Sequence, residues 1–172
     1  MAVIETQSGA SPAAKKTAIV AAVVAVLGPA EGMRQVAYRD PPGILTVCQG
    51  HTDAAGGAKI DPHHVYTIEE CKRFTQGDAM RAVERVQACT PWDTPDRVVV
   101  AFSDAVYNLG ATIACDRAKS TAARMLYARD WAGACAELTK WDKARVAGFM
   151  VALPGLTARR RVEREICERA AP

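Results

Sequence analysis

Several signatures that would fix a chemistry at once are missing. No Cys-x-x-Cys pair occurs, which argues against a zinc ribbon or a thioredoxin-like site. No His-Glu-x-x-His occurs either, and the histidines are only His51, His63 and His64. With Asp53 they are the raw material for a metal-dependent amidase or peptidase, but the adjacent His63 and His64 would face opposite sides of an extended strand. No metal and no cofactor is therefore expected. No cysteine precedes Cys48, and no internal repeat is present. The apolar stretch "TAIVAAVVAVLGPA" (residues 17–30) spans fourteen residues, short of the about 20 that cross a bilayer comfortably.

What is present is the composition of a globular protein. The chain has 172 residues, 49% hydrophobic and 24% charged, enough for one domain with a sizeable core. Net charge is +3, yet eight basic residues face four acidic ones from Lys140 onward. Such a balance suits an anionic partner such as a cell wall, a membrane surface or nucleic acid, or else a helix laced with i,i+4 ion pairs. The six cysteines Cys48, Cys71, Cys89, Cys115, Cys135 and Cys167 are an even, dispersed set, as expected of structural disulfides in an oxidising compartment. Sequence alone leaves about 15 pairings open. Lys15 and Lys16 followed by residues 17–30 have the layout of an export signal. The alanine content makes that signal only weakly hydrophobic. A buried core helix competes with this reading. The preferred one is an export signal that stays attached, behind a flexible tail over residues 1–16.

The pattern predicts an α+β fold: a small antiparallel hairpin sheet beside a mainly α-helical bundle. Residues 17–37 read as helix, Pro41-Pro42-Gly43 as a turn, and "ILTVCQG" as a strand in a hairpin between Tyr38 and Lys59. Thr67 and Glu70 form a capping box, and Thr94-Pro95 opens an apolar helix that stops at Gly110. Further helices start at Ser120, Asp130 and Thr157, with Pro154 and Gly155 in the preceding loop. Everything after the hairpin reads as helix. Trp92, Trp131 and Trp141, at helix ends, are expected to pack rather than to stack on ligand.

Glu31, Asp40 and Thr46 are the candidate catalytic set. Two carboxylates from different elements can supply a general acid and a water-activating group, the pair that glycoside hydrolysis needs. A glutamate following "VVAVLGPA" has apolar neighbours that favour its protonated form. Spacing alone carries little weight. However, Glu31, eight residues, Asp40, five residues, Thr46 and then Gly50-His51 resembles the active-site segment of phage-type lysozymes, the endolysins of glycoside hydrolase family 24. "YRDPPGILTVCQGHTD" resembles that family's hairpin and "YTIEECKRF" its next helix start. "AFSDAVYNLG", "STAARML" and "DWAGACAELTKW" are similar to its following helices, and "LPGLTARRRVEREIC" to its last. The segments follow the family's order over roughly residues 31–168 of a catalytic domain spanning 31–172.

The resemblance implies an inverting lysozyme that cleaves the β-1,4 bond between N-acetylmuramic acid and N-acetylglucosamine and so lyses the host cell. Glu31 would be the general acid, with Asp40 and Thr46 activating water. Asn108 would face the substrate, and His51, Arg159 and Arg160 would support the site, one arginine pairing with Glu31. Gln49 departs from the aromatic or small residue common at its position. Residues 17–30 also resemble the signal-arrest-release segment of some endolysins, which tethers the enzyme to the inner membrane before release into the periplasm. Activation through a cysteine in that segment is excluded here. The expected partners are peptidoglycan and, transiently through residues 17–30, the inner membrane, for a monomer that binds no nucleic acid. By position in the implied fold, the bridges expected are Cys48–Cys71, Cys89–Cys115 and Cys135–Cys167. A lytic transglycosylase would not need Asp40 and Thr46. A non-catalytic wall-binding or virion protein would not need the trio.

Overall fold

A computed structural model describes residues 11–28, 33–40, 43–146 and 148–169. The chain divides into two compact units, Met1–Val83 and Glu84–Pro172.

In the first unit, helix α1 spans Pro12–Leu27. Ser11 caps it by accepting from the Ala14 N–H, and Pro12 starts it where a missing N–H costs nothing. The helix thus begins ahead of Thr17, inside the segment expected to be a tail. Ile19, Val20 and Val23 share one buried face. Among the described residues no helix is long and apolar enough to cross a membrane.

Helix α1 ends at Gly28, whose φ of +90° is a conformation other residues resist. The expectation of helix up to residue 37 is corrected here, because Arg34–Arg39 is strand β1. Its segment has no decisive period of its own, and pairing decides the matter. Strand β2 (Leu45–Cys48) pairs antiparallel with β1, with Tyr38 opposite Thr46, and β3 (His51–Thr52) pairs with β2, with Thr46 opposite Thr52. The Tyr66 N–H donates to the Gln35 carbonyl at 2.7 Å, and the Gln35 side-chain Nε2 donates back to the Tyr66 carbonyl at 2.7 Å. The first of these, with the β2 ladder, commits the Gln35 backbone to a sheet rather than a helix. Val47, Cys48, Ile60, Tyr66 and Cys71 form the core beneath, with Met33, Ala37, Leu45 and Phe74 packed on it.

Helix α2 (Ile68–Cys89) starts with the expected capping box. The Thr67 N–H donates to Glu70 Oε2 at 2.7 Å and the Glu70 N–H to Thr67 Oγ1 at 3.2 Å. The Cys48–Cys71 disulfide ties its first turn to β2.

The second unit is built on helix α3 (Asp96–Leu109), which is buried continuously from Val98 to Val106, as an all-round apolar helix must be. Helices α4 (Thr112–Cys115), α5 (Thr121–Tyr127) and α6 (Trp131–Glu137) follow. Ser120 and Asp130 cap α5 and α6 by accepting from the Ala123 and Gly133 N–H groups. Two further expectations are corrected. Lys143–Val146 and Phe149–Ala152 form a hairpin, β4 and β5, where only helix and loop had been expected. Gly148, with φ +89°, supplies the turn conformation that a tight hairpin requires. Helix α7 then begins at Pro154 rather than Thr157 and ends at Glu168. Pro154 and Gly155 are its first turn, and Thr157 donates its hydroxyl to Asp142 Oδ2 at 2.9 Å instead of capping.

Helix α7 packs against α3, and α5 against α6. The Cys89–Cys115 and Cys135–Cys167 bridges complete the three pairings expected from the resemblance. Trp131 and Trp141 are half-buried, but Trp92 is 92% exposed, contrary to the expectation that it packs.

Candidate functional site

The two polar residues that the hairpin carries are set by ordinary strand chemistry. Asp40 follows the last residue of β1, where the chain turns back towards β2. Its backbone N–H donates to the Ile44 carbonyl at 3.0 Å, and its own carbonyl accepts from the Gly43 N–H at 2.8 Å. Its side-chain Oδ1 accepts from the Ile44 N–H at 2.7 Å. The half-buried carboxylate is thereby fixed by the turn it closes, and Oδ2 has no hydrogen-bond partner among the described residues. Thr46 lies on the central strand, only 3% exposed. Its hydroxyl donates to the Ile44 carbonyl at 3.0 Å, which leaves its lone pairs available to a water. Asp40 and Thr46 therefore share Ile44 as an anchor. Glu31 lies outside the described residues, as do Pro41 and Pro42 of the turn.

His51 sits in a buried environment of hydrogen bonds and ring stacking. It is 1% exposed and stacks on Phe74 with ring centroids 4.1 Å apart. Nδ1 lies 2.8 Å from Asp78 Oδ2, and Nε2 lies 3.1 Å from the Ala58 carbonyl. A carboxylate and a carbonyl both accept, so the two contacts together favour the doubly protonated ring. Burial by itself lowers the His51 pKa, but the Asp78 carboxylate and the Ala58 carbonyl outweigh it and raise the value above 6.5. The stabilisation is fully present below pH 6.5 and fades as pH rises through the raised value. An NMR titration should place the His51 transition above 6.5, and the stability gap between wild type and His51→Gln should narrow as pH rises through it. A transition below 6.5 would contradict this geometry.

Asp78 also pairs with Arg81, whose Nε donates to the Ala55 carbonyl at 2.9 Å. The Arg81 guanidinium fills the space that a side chain at Gly57 would need, 3.0 Å from its Cβ position. Together His51, Asp78 and Arg81 pin the Asp53–Ala58 loop to α2, and with it the end of the sheet that carries Thr46. His63 and His64 are exposed, and His64 Nε2 lies 3.2 Å from Glu70 Oε1. Among the described residues no group of three or more His, Cys, Asp or Glu is arranged to hold a metal.

In the second unit, Arg159 and Arg160 enter a buried network that sequence reasoning did not foresee. Arg159 donates through Nε and Nη2 to both oxygens of Asp104, at 2.9 and 2.8 Å. Asp104 is 0% exposed in the middle of α3. Arg160 is fully buried as well and pairs with Glu163, and its Nη2 reaches Asn108 Oδ1 at 3.3 Å. Burial, with Asp104 close by, holds the Glu163 carboxyl far above its usual range. Asn108 is itself exposed near the C-terminal end of α3, and the arginine holds its carbonyl oxygen. A lone aspartate inside an otherwise apolar helix was the available signal, since a buried carboxylate demands a cationic partner. The basic C-terminal run is thus mixed: two arginines turn inward, and Arg164 pairs with Glu168 at 2.7 Å.

Comparison with known proteins gives a consistent result. The profile of the family described as phage lysozyme matches residues 28–163. The SAR-endolysin of bacteriophage PS119 is 35% identical over 155 residues, covering 87% of this chain and 86% of that protein. The SAR-endolysin of enterobacteria phage P21 is 33% identical over 155 residues, covering 87% of each. Among solved structures, an endolysin from Escherichia coli O157:H7 phage FAHEc1 superposes with a TM-score of 0.69 at 25% identity. That match covers 94% of this chain and 96% of the other.

Proposed function

This chain belongs to the phage lysozyme family, as an endolysin of the SAR type, and on that premise we propose which bond it cuts and how. The bond is the β-1,4 link between N-acetylmuramic acid and N-acetylglucosamine in peptidoglycan. The observation that carries the proposal is Asp40, a carboxylate fixed by the Ile44 N–H on a hairpin that also presents Thr46.

In the mechanism, Glu31 protonates the departing glycosidic oxygen. Asp40 Oδ2 takes a proton from a water that Thr46 Oγ1 helps to hold, and that water attacks the anomeric carbon from the opposite face. The configuration inverts, and the glutamate and aspartate exchange protons with solvent before the next cycle. This route needs roughly 6.5–9.5 Å between the carboxyl groups, room for the water. Asn108, its carbonyl held by Arg160, is free to offer its amide hydrogens to substrate carbonyls.

We further propose export to the periplasm with residues 17–30 as the tether. Helix α1 supports this, since Ile19, Val20 and Val23 give a short apolar face to bury on release. Purified protein should clear peptidoglycan and release new reducing ends at a rate indifferent to EDTA. Anhydro-muramic products in place of reducing ends would assign a transglycosylase and overturn the water-activating role of Asp40.

A further inference from the structure

One surface of the second unit, with no part in the proposed chemistry, gathers exposed aromatic and cationic side chains. Trp92 is the most exposed large apolar side chain among the described residues. It directly follows Pro91, which lines a depression of about 550 Å³ together with Cys89, Cys115, Arg117, Tyr127 and Arg129. That volume falls in the range of ordinary ligand sites.

The walls are held rigid. The Cys89–Cys115 bridge joins the end of α2 to α4. On the other side, Arg129 Nε donates to both oxygens of Asp93 at 3.0 and 2.9 Å, which fixes the Pro91–Asp93 turn to the end of α5. Arg129 holds a left-handed φ of +61° to do so. Tyr127 is 58% exposed, and the Arg117 guanidinium lies 4.1 Å from the centre of its ring. The Arg117 side chain makes no hydrogen bond or ion pair with any described residue. Arg124 Nη1 donates to the Arg117 carbonyl at 2.9 Å and steadies that segment from behind.

The chemistry selects the occupant. The exposed indole of Trp92 can stack on the C–H face of a sugar ring, and the Arg117 guanidinium, seated over Tyr127, can recognise a carboxylate. A polymer that offers both repeatedly is peptidoglycan, with its sugar backbone and its carboxylate-bearing stem peptides. We infer that Trp92, Tyr127 and Arg117 form a non-catalytic subsite that holds a peptidoglycan strand and keeps the enzyme on the insoluble wall between cleavages. The inference rests on the peptidoglycan reading above. It shares no residue with the proposed catalytic set.

The test is co-sedimentation with purified sacculi, using full-length Glu31→Gln so that the wall is not digested. Trp92→Ala combined with Arg117→Glu should weaken retention by about tenfold. In the otherwise wild-type enzyme the same pair should slow clearing of sacculi severalfold while leaving turnover of a short soluble glycan oligomer unchanged. Circular dichroism checks the fold, since both side chains are at the surface. Retention equal to the parent's would overturn the inference, as would soluble turnover falling in step with wall clearing. Absence of new reducing ends with the wild-type enzyme would instead defeat the functional reading, with retention by Glu31→Gln still judging the subsite.

Discussion

Glu31→Gln should lower the release of reducing ends from peptidoglycan by about a thousandfold, the scale that a positioned general acid contributes. The substitution keeps the size of the side chain and removes only its transferable proton. Folding should therefore be unchanged, and circular dichroism and the thermal midpoint should match the wild type. Asp40→Asn is the complementary experiment. An asparagine oxygen can still accept from the Ile44 N–H, so the turn between β1 and β2 survives. The negative charge at Oδ2 does not, and turnover should again fall by about a hundredfold or more. Thr46 sets the expected order of effects, because removing its hydroxyl disturbs the water but no proton transfer. Near-wild-type lysis by Glu31→Gln would falsify the catalytic assignment, and full activity of Asp40→Asn would remove the inverting mechanism while sparing the acid.

The second large effect is on stability. Asp104→Ala should destabilise the protein by about 3–5 kcal/mol, the usual cost of removing one partner from a buried ion pair. The cost arises from what remains. Arg159 loses both of its short bonds, and two guanidinium groups are left around Glu163 alone. Glu163 compensates poorly, since burial favours its neutral form. Because these groups join α3 to α7, urea denaturation should show a lower midpoint. Asp104→Asn keeps one acceptor and should fall between the wild type and Asp104→Ala. A loss below about 1 kcal/mol for Asp104→Ala would mean that apolar packing alone holds α7.

Much of this architecture was legible because local rules and burial agree. The capping box at Thr67 and Glu70, the caps at Ser120 and Asp130, and the continuous apolar run of α3 are each decided within a few residues. The strand Arg34–Arg39 was not legible over its first half, since its sequence tolerates either period and its pairing with β2 and with the more distant Tyr66 commits it to a sheet. The β4–β5 hairpin was missed for a similar reason. Val146, Phe149, Met150 and Val151 carry strand propensity, but the chain is too short there to alternate visibly. Thr157 misled as a helix start because its hydroxyl serves Asp142, not a cap. Of the candidate site, Asp40, Thr46 and His51 could be named from spacing and resemblance. The partner that holds His51, Asp78, could not, because a pair 27 residues apart leaves no local trace.

The three disulfides also act as a clock. They close loops with separations of 23, 26 and 32 residues, all six cysteines are used, and each bridge lies within one compact unit. In the reducing compartment where the chain is synthesised, none of these crosslinks persists, and the unfolded ensemble keeps the freedom that each would remove, about 3 kcal/mol apiece. On the export proposed above, the bridges form only where thiols oxidise, beyond the inner membrane. They thus couple the durability of the fold to the redox state of the compartment that holds it.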